Sequence, residues 1–256
     1  MKYPVKITKT YLFKLSIPIF FANLSLPLAG LVDVFLMGHL ESANFLAAIS
    51  VATSFITMVF WSFGFLRMAT TGLVSQSLGK GDYREIILIF LRNLILAAIV
   101  GIIILLVKYP ILLTIEHFFN VSNETYNLIK TYITIRLFSA PAELTIYVLT
   151  GLYIGLQKTK VSSFIVSFFC LLNIALSIYF VKYLELSISG IALGTALSSY
   201  LTISIFLFYT YYFFDSEFNI IPRFKRIFVK KNIIKLFNIN FDIFIRTILI
   251  TFAFLW

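Results

Sequence analysis

Charge is scarce in this chain: 12% of its 256 residues are Asp, Glu, Lys or Arg, against about 25% in soluble domains. That shortage, beside a 60% apolar share, excludes a surface built for water and makes lipid the expected solvent. There is one cysteine, Cys170, so no intrachain disulfide and no cysteine-based metal site can form. The two histidines, His39 and His117, have no acidic or cysteine company at ligand spacing, and no metal site is expected. A Gly-x-x-x-x-Gly-Lys phosphate loop and a Gly-x-Ser-x-Gly nucleophile turn are both missing. ATP-driven transport and hydrolysis therefore have no foothold, and the chain is not expected to be an enzyme. The basic start is not followed by a convincing small-residue cleavage site, so the first apolar run reads as a retained membrane helix.

What is present is apolar length. A helix crossing about 30 Å of hydrocarbon needs about 20 largely apolar residues, and six windows meet this: Tyr11 to Gly38, Phe45 to Leu78, Ile86 to Val107, Tyr132 to Leu156, Val161 to Val181 and Ile188 to Phe214. A seventh begins near Ile243 and stops at Trp256. The expected fold is all-α: a polytopic transmembrane bundle of six complete helices plus the start of a seventh. Three parts follow: a six-helix amino-terminal lobe over 1–214, a basic cytoplasmic inter-lobe loop over 215–242, and the start of a second lobe over 243–256.

The net charge is +10, and where the charges lie decides what it means. They fall in loops rather than along one face, so no nucleic-acid partner is expected. Fifteen Lys and Arg lie on one side: Lys2, Lys6, Lys9, Lys14, Lys80, Arg84, Arg92, Lys158, Lys160, Arg223, Lys225, Arg226, Lys230, Lys231 and Lys235. Four lie on the other: Lys108, Lys130, Arg136 and Lys182. Because cytoplasmic loops carry the basic excess, the expectation is a multi-pass protein of the cell membrane with its amino terminus and its 215–242 loop in the cytoplasm. In that loop KRIFVKKNIIKLF alternates basic and apolar residues, as a segment lying on an anionic leaflet does. The Asn120 and Asn123 triplets match the glycosylation pattern, but no glycan is expected. GKGDYRE, from Gly79 to Glu85, reads as a short basic turn.

Ionisable groups inside membrane helices are costly and are functional candidates by default. Three qualify: Asp33 in the first helix, Arg67 in the second and Glu143 near the middle of the fourth. At 100° per residue, Ala22, Leu26, Ala29, Gly30 and Met37 share the Asp33 face, a mostly small surface that lets another helix approach or leaves a cavity. A carboxylate able to be neutral or charged is what coupling to a proton or Na⁺ requires. A structural carboxylate bonded to neighbouring hydroxyls is the alternative. Pro18 and Pro27 each remove a backbone donor, so the helix can bend. Arg67 can snorkel as a structural residue, whereas Glu143 can be a second proton site or a partner of Arg67. Cys170, Asn173 and Ser177 form a polar stripe on the fifth helix, and Thr195, Ser198, Ser199 and Thr202 add to the sixth; such residues suit interhelical hydrogen bonds or, less commonly, ligand contacts.

The runs LSLPLAGLVDVFLMGHL (24–40), FLRMATTGLVSQSLG (65–79), RLFSAPAEL (136–144), GLQKTK (155–160), GIALGTALSSY (190–200) and NFDIFIRTILI (240–250) resemble the DNA-damage-inducible F group of the multidrug and toxic compound extrusion family. The resemblance implies a twelve-helix fold of two six-helix lobes around a central cavity, exporting amphipathic, often cationic compounds in exchange for protons or Na⁺. It implies that Asp33 is the cation-coupling acid, that its protonation bends this helix, in which Pro27 is the helix-bending residue read above, and that Asn173 borders the same cavity. The family often has an aspartate at the position of Ser177, so one expected acid is absent here, and Glu143 looks unusual for its place. The expected partners are a small-molecule substrate, the lipid bilayer, and a second lobe or a second copy of the chain; no cofactor beyond the coupling ion is expected. A lipid-linked sugar flippase of the same superfamily, which would favour a cavity rich in Arg and Lys, and an inactive remnant or assembly partner are the rival readings. The half-spanning 243–256 segment favours a truncated form over a functional half.

Overall fold

A computed structural model describes residues 8–38, 43–118, 122–218 and 227–254. His39, the His117 side chain, Asn120 and the basic residues Lys2, Lys6, Arg223, Lys225 and Arg226 lie outside the described residues. Ten helices are found among the described residues: α1 (Lys9–Gly38), α2 (Ala43–Ser62), α3 (Phe65–Gly79), α4 (Tyr83–Leu106), α5 (Lys108–Phe118), α6 (Asn123–Leu137), α7 (Ala140–Gly155), α8 (Thr159–Lys182), α9 (Ser187–Phe218) and α10 (Lys230–Phe254). Five stretches are long and apolar enough to cross a membrane: α1, the α2–α3 stretch from Phe45 to Gly79, α4, α8 and α9. The pair α6 and α7, bent by 49°, makes a sixth when taken as one span. The protein is an all-α, polytopic membrane bundle.

Two spans are broken rather than straight. Between α2 and α3 the chain tightens into i→i+3 bonds, Phe63 N to Phe60 O and Gly64 N to Trp61 O, both 3.0 Å, the geometry of a short 3₁₀ turn. Between α6 and α7, RLFSAP breaks the helix because the Pro141 ring and its missing N–H suit a helix's first turn and not its interior. The carbonyls freed there find partners: Tyr200 Oη donates to Phe138 O at 2.9 Å and Ser139 Oγ to Arg136 O at 2.6 Å. In hydrocarbon an unpartnered carbonyl costs several kcal/mol, so such a break persists only where side chains close it.

Helix α7 sits at the centre, packed by α3, α4, α8 and α9, and nearly all its residues from Ala140 to Gly155 are buried. Small residues make this possible. Gly151 and Gly155, four apart, abut the backbone and side chains of Arg67, Thr70 and Val74 on α3, and Gly101 of α4 lies against Pro141. Gly190 and Gly194 of α9 repeat the spacing against Phe180 and Ser177 of α8. Small residues four apart let helix backbones meet where apolar burial supplies little drive.

The turn from Gly79 to Glu85 is an N-cap: Asp82 Oδ1 accepts from Glu85 N at 3.0 Å and Gly81 takes φ +70°, a pairing that satisfies one of the free donors opening α4. The stretch read as a loop over 215–242 is helical at both described ends, since α9 runs on to Phe218 and α10 starts at Lys230 rather than near Ile243. Lys230 and Lys231 open α10 and are exposed, while the segment docks through other residues. Phe244 meets Phe63 and Phe65, Asn240 Nδ2 donates to Asn93 Oδ1 at 3.2 Å, and Arg92 Nε donates to Ile227 O at 3.0 Å. Arg92, counted with the loop residues, is thus buried within α4, where it also pairs with Glu85 at 2.8 Å.

Candidate functional site

Helix α1 rests on α8 and buries little of itself: Ala22, Ala29, Asp33, Leu36 and Met37. Leu26 and Gly30, expected on that face, are exposed, and Leu36 takes part instead. Asp33 is 8% exposed and its Oδ1 has no hydrogen-bond partner among the described residues. Across from it stands Ser177 of α8, fully buried, its hydroxyl near enough to act on the carboxylate although Oγ completes no hydrogen bond of regular geometry. An acid and a hydroxyl facing each other, both unfilled and both out of water, are rare in a finished core. Pro27 lies exposed, about 120° round the helix from Asp33 at 100° per residue, and α1 runs unbroken through Pro18 and Pro27.

The fourth span brings a second acid and a base to the same neighbourhood. Arg136, in the last turn of α6, and Glu143, in the first turn of α7, pair across the 49° bend, with side chains 11% and 12% exposed. The pair is two-pronged: Arg136 Nη1 donates to Glu143 Oε1, and Nη2 to Oε2 at 3.2 Å. Ser139, between them, contacts Arg136 Nη1 and lies 2.7 Å from Glu143 Oε1, its single hydroxyl proton shared between that oxygen and Arg136 O. Beneath the guanidinium lies the Phe60 ring of α2, 5.2 Å from its centroid, a cation–π arrangement suited to a desolvated arginine. Arg136 also lies within electrostatic reach of Asp33, with Tyr132 in the same group.

This corrects three expectations. Arg136, counted above with the external charges, falls inside the Tyr132 to Leu156 window and belongs to the bent span, largely buried, paired with Glu143 and within electrostatic reach of Asp33. Glu143 is not at mid-helix, since the break at Phe138 and Ser139 makes it a first-turn residue, where a helix N-terminus favours negative charge. Nor does it pair with Arg67, which is half-buried on α3, acts on Tyr147, and has no ion pair among the described residues.

Asn173, four residues from Ser177 on α8, donates from Nδ2 to Thr195 Oγ1 of α9 at 2.8 Å. Ser198, Ser199 and Thr202 turn back instead to carbonyls of their own helix at 2.9, 2.7 and 2.7 Å. Among the polar residues of α8 and α9 singled out above, Asn173–Thr195 is the hydrogen bond that crosses between the two helices. Gly194 presses on Ser177: a Cβ there would lie 2.8 Å from Ser177 Oγ and 2.9 Å from its backbone N. Gly194→Ala should therefore part α8 from α9 beside Asp33 and cost about 1–3 kcal/mol as overpacking does, read as an earlier thermal transition of the purified protein. An unchanged transition would show that the contact yields freely.

Residues 18–179 match the MatE family. The chain is 32% identical over 194 residues to DNA damage-inducible protein F of Escherichia coli K12, covering 76% of this chain and 42% of that one. Multidrug export protein MepA of Staphylococcus aureus NCTC 8325 is 23% identical over 239 residues, 93% of this chain and 52% of its own length. The fold matches a solved outward-facing multidrug resistance MATE family transporter of the MOP superfamily with a TM-score of 0.83 and 20% identity, covering 98% of this chain and 57% of that one. The chain spans about half the length of the curated relatives it matches. By its match over residues 18–179, the chain belongs to the MatE family, the multidrug and toxic compound extrusion transporters.

Proposed function

We propose that this chain forms one lobe of a secondary transporter of the cell membrane, amino terminus in the cytoplasm, that exports amphipathic cationic small molecules in exchange for protons or Na⁺. A second lobe, or a second copy of the chain, faces it across the cavity. The observation that carries the reading is the Asp33 carboxylate, buried and with one oxygen unpartnered opposite an unpartnered Ser177 hydroxyl. Hard oxygen donors of this kind suit a proton or a small alkali cation. Neutralising a carboxylate in a membrane helix removes a desolvation cost of several kcal/mol, so cation arrival and departure can bias how α1 sits on α8. The proline at Pro27, which leaves the carbonyl one turn before it without its usual donor, gives α1 a place to bend. The exporters among its relatives support an outward drug flux for this chain as well.

The test is efflux of a fluorescent cationic dye, driven by an imposed proton or Na⁺ gradient, from cells making this chain alone and from cells making it joined to a second lobe. In whichever form exports, Asp33→Asn should abolish gradient-driven efflux while the amount of protein in the membrane stays level. Undiminished efflux from Asp33→Asn would refute the assignment.

A further inference from the structure

The pairing at the α6–α7 bend leaves a charge to account for. Around Asp33 the described groups are Ser177 on α8 and Tyr132 and Arg136 on α6, with Glu143 of α7 joined to them through Arg136; Arg67 of α3 acts on Tyr147. Of these the charge-bearing set is two carboxylates and one guanidinium. The guanidinium is committed: two prongs to Glu143, a contact with Ser139, and the Phe60 face below. With Arg136 held by Glu143, Asp33 has no counter-charge of its own, and its Oδ1 is left open.

We propose that Glu143 is a positioning residue of the coupling site: by holding Arg136 it keeps the guanidinium from neutralising Asp33, so the cluster carries one unbalanced negative charge and takes one monovalent cation. The inference rests on the reading of Asp33 as the coupling acid and adds to it. The reasoning is electrostatic. In a low-dielectric setting an arginine with a single nearby carboxylate pairs with it and lowers its hold on protons and other cations. Were Glu143 absent, Asp33 would be that carboxylate, and its cation site would be filled permanently by Arg136. Two acids to one base leave room for one further positive charge, and no more. The helix break serves this division: Ser139 and the first turn of α7 hold the Glu143 carboxylate on the guanidinium, and Tyr200 secures the break from α9.

The experiment follows the carboxyl C=O infrared band of Asp33 in the purified 256-residue chain as pH is varied, the band being assigned by its disappearance in Asp33→Asn. Glu143→Gln should move the midpoint of that band down by about one pH unit or more, the effect of a newly freed opposite charge. Glu143→Asp should keep the parental midpoint, and so should Glu143→Gln combined with Arg136→Gln, in which both charges are gone. A Glu143→Gln midpoint equal to the parent's overturns the proposal, and so does a double variant displaced like the single one. If Glu143→Gln alone does not fold, the double variant decides by itself, a parental midpoint supporting the charge balance and a displaced one refuting it. The two readings fail separately. An Asp33→Asn protein that still exports, beside a shifted Glu143→Gln midpoint, defeats the export role alone; an unshifted midpoint beside a dead Asp33→Asn defeats this inference alone.

Discussion

Gly101→Val is expected to leave little or no folded protein in the membrane. A Cβ at position 101 would lie 2.5 Å from Pro141 Cα and 2.7 Å from Pro141 N. These are backbone atoms at the start of α7, held in place by the α6–α7 break, and they cannot swing aside as a side-chain tip can. The two helices must separate, and with α7 buried among α3, α4, α8 and α9, every contact at the centre loosens together. A cost above about 4 kcal/mol is reserved for damage of this kind, and it would consume most of the stability of an ordinary domain. Gly72→Ala is the matched control, since nothing lies within 4 Å of the added carbon, and alanine is worth about 1 kcal/mol over glycine inside a helix. Membrane-fraction yield and a monodisperse elution profile should be lost for Gly101→Val and kept for Gly72→Ala. A well-behaved Gly101→Val would mean that α4 and α7 are less tightly joined than described.

The second large effect concerns Arg136. Arg136→Gln removes the positive charge that pairs with Glu143 and acts on Asp33, and leaves both carboxylates without it. Breaking a buried pair from one side costs about 3–5 kcal/mol, because an uncompensated charge stays behind. Arg136→Gln with Glu143→Gln removes both ends, and amides of similar shape can bond to each other and to Ser139. The double variant should recover most of what the single one loses. Glu143→Gln should cost less than Arg136→Gln, since the freed guanidinium has Asp33 within reach. Thermal unfolding of the four proteins gives the cycle directly; additive losses, with no recovery in the double variant, would show that Arg136 and Glu143 act independently.

Apolar length was the strongest message in the sequence, and the windows read from it correspond to α1, the α2–α3 stretch, α4, the α6–α7 pair, α8 and α9. Such runs are legible because bilayer thickness sets their length whatever they pack against. Asp33 and Ser177 were legible for a related reason: a polar group in an apolar run stands out before its partners are known. The Arg136–Glu143 pair was not. Counting lysines and arginines by loop puts Arg136 outside the membrane, and no pattern of spacing says that a helix will break at Phe138 and carry a seven-residue separation back on itself. A Pro141 in RLFSAP signals a helix start as readily as a kink, and that choice decides whether Glu143 belongs to mid-helix or to a first turn. Arg92 was misplaced in the same way, its burial depending on Ile227 far along the chain. The glycine pairs at 151 and 155 and at 190 and 194 were there to be read, since spacing by four is a local signal. Which helices they admit is a tertiary fact. The start of α10 at Lys230 shows the converse, where basic residues suggest a loop although their long stems are at ease on a helix.

The central helix has a consequence for how the protein is made. Neither α6 nor α7 qualifies as a span by itself; they do so only as a bent pair, and the pair carries Arg136, Ser139 and Glu143 into the bilayer together. The grooves that receive Gly151, Gly155 and Pro141 belong to α3 and α4, which are synthesised first, whereas the Tyr200 hydroxyl that closes the break comes with α9, well after. Between those two moments the nascent chain holds a charged, bent span, sheltered on one flank by helices already laid down. Assembly of this bundle is thus ordered by its own sequence, earlier helices serving as the berth for the most polar segment and α9 as its seal.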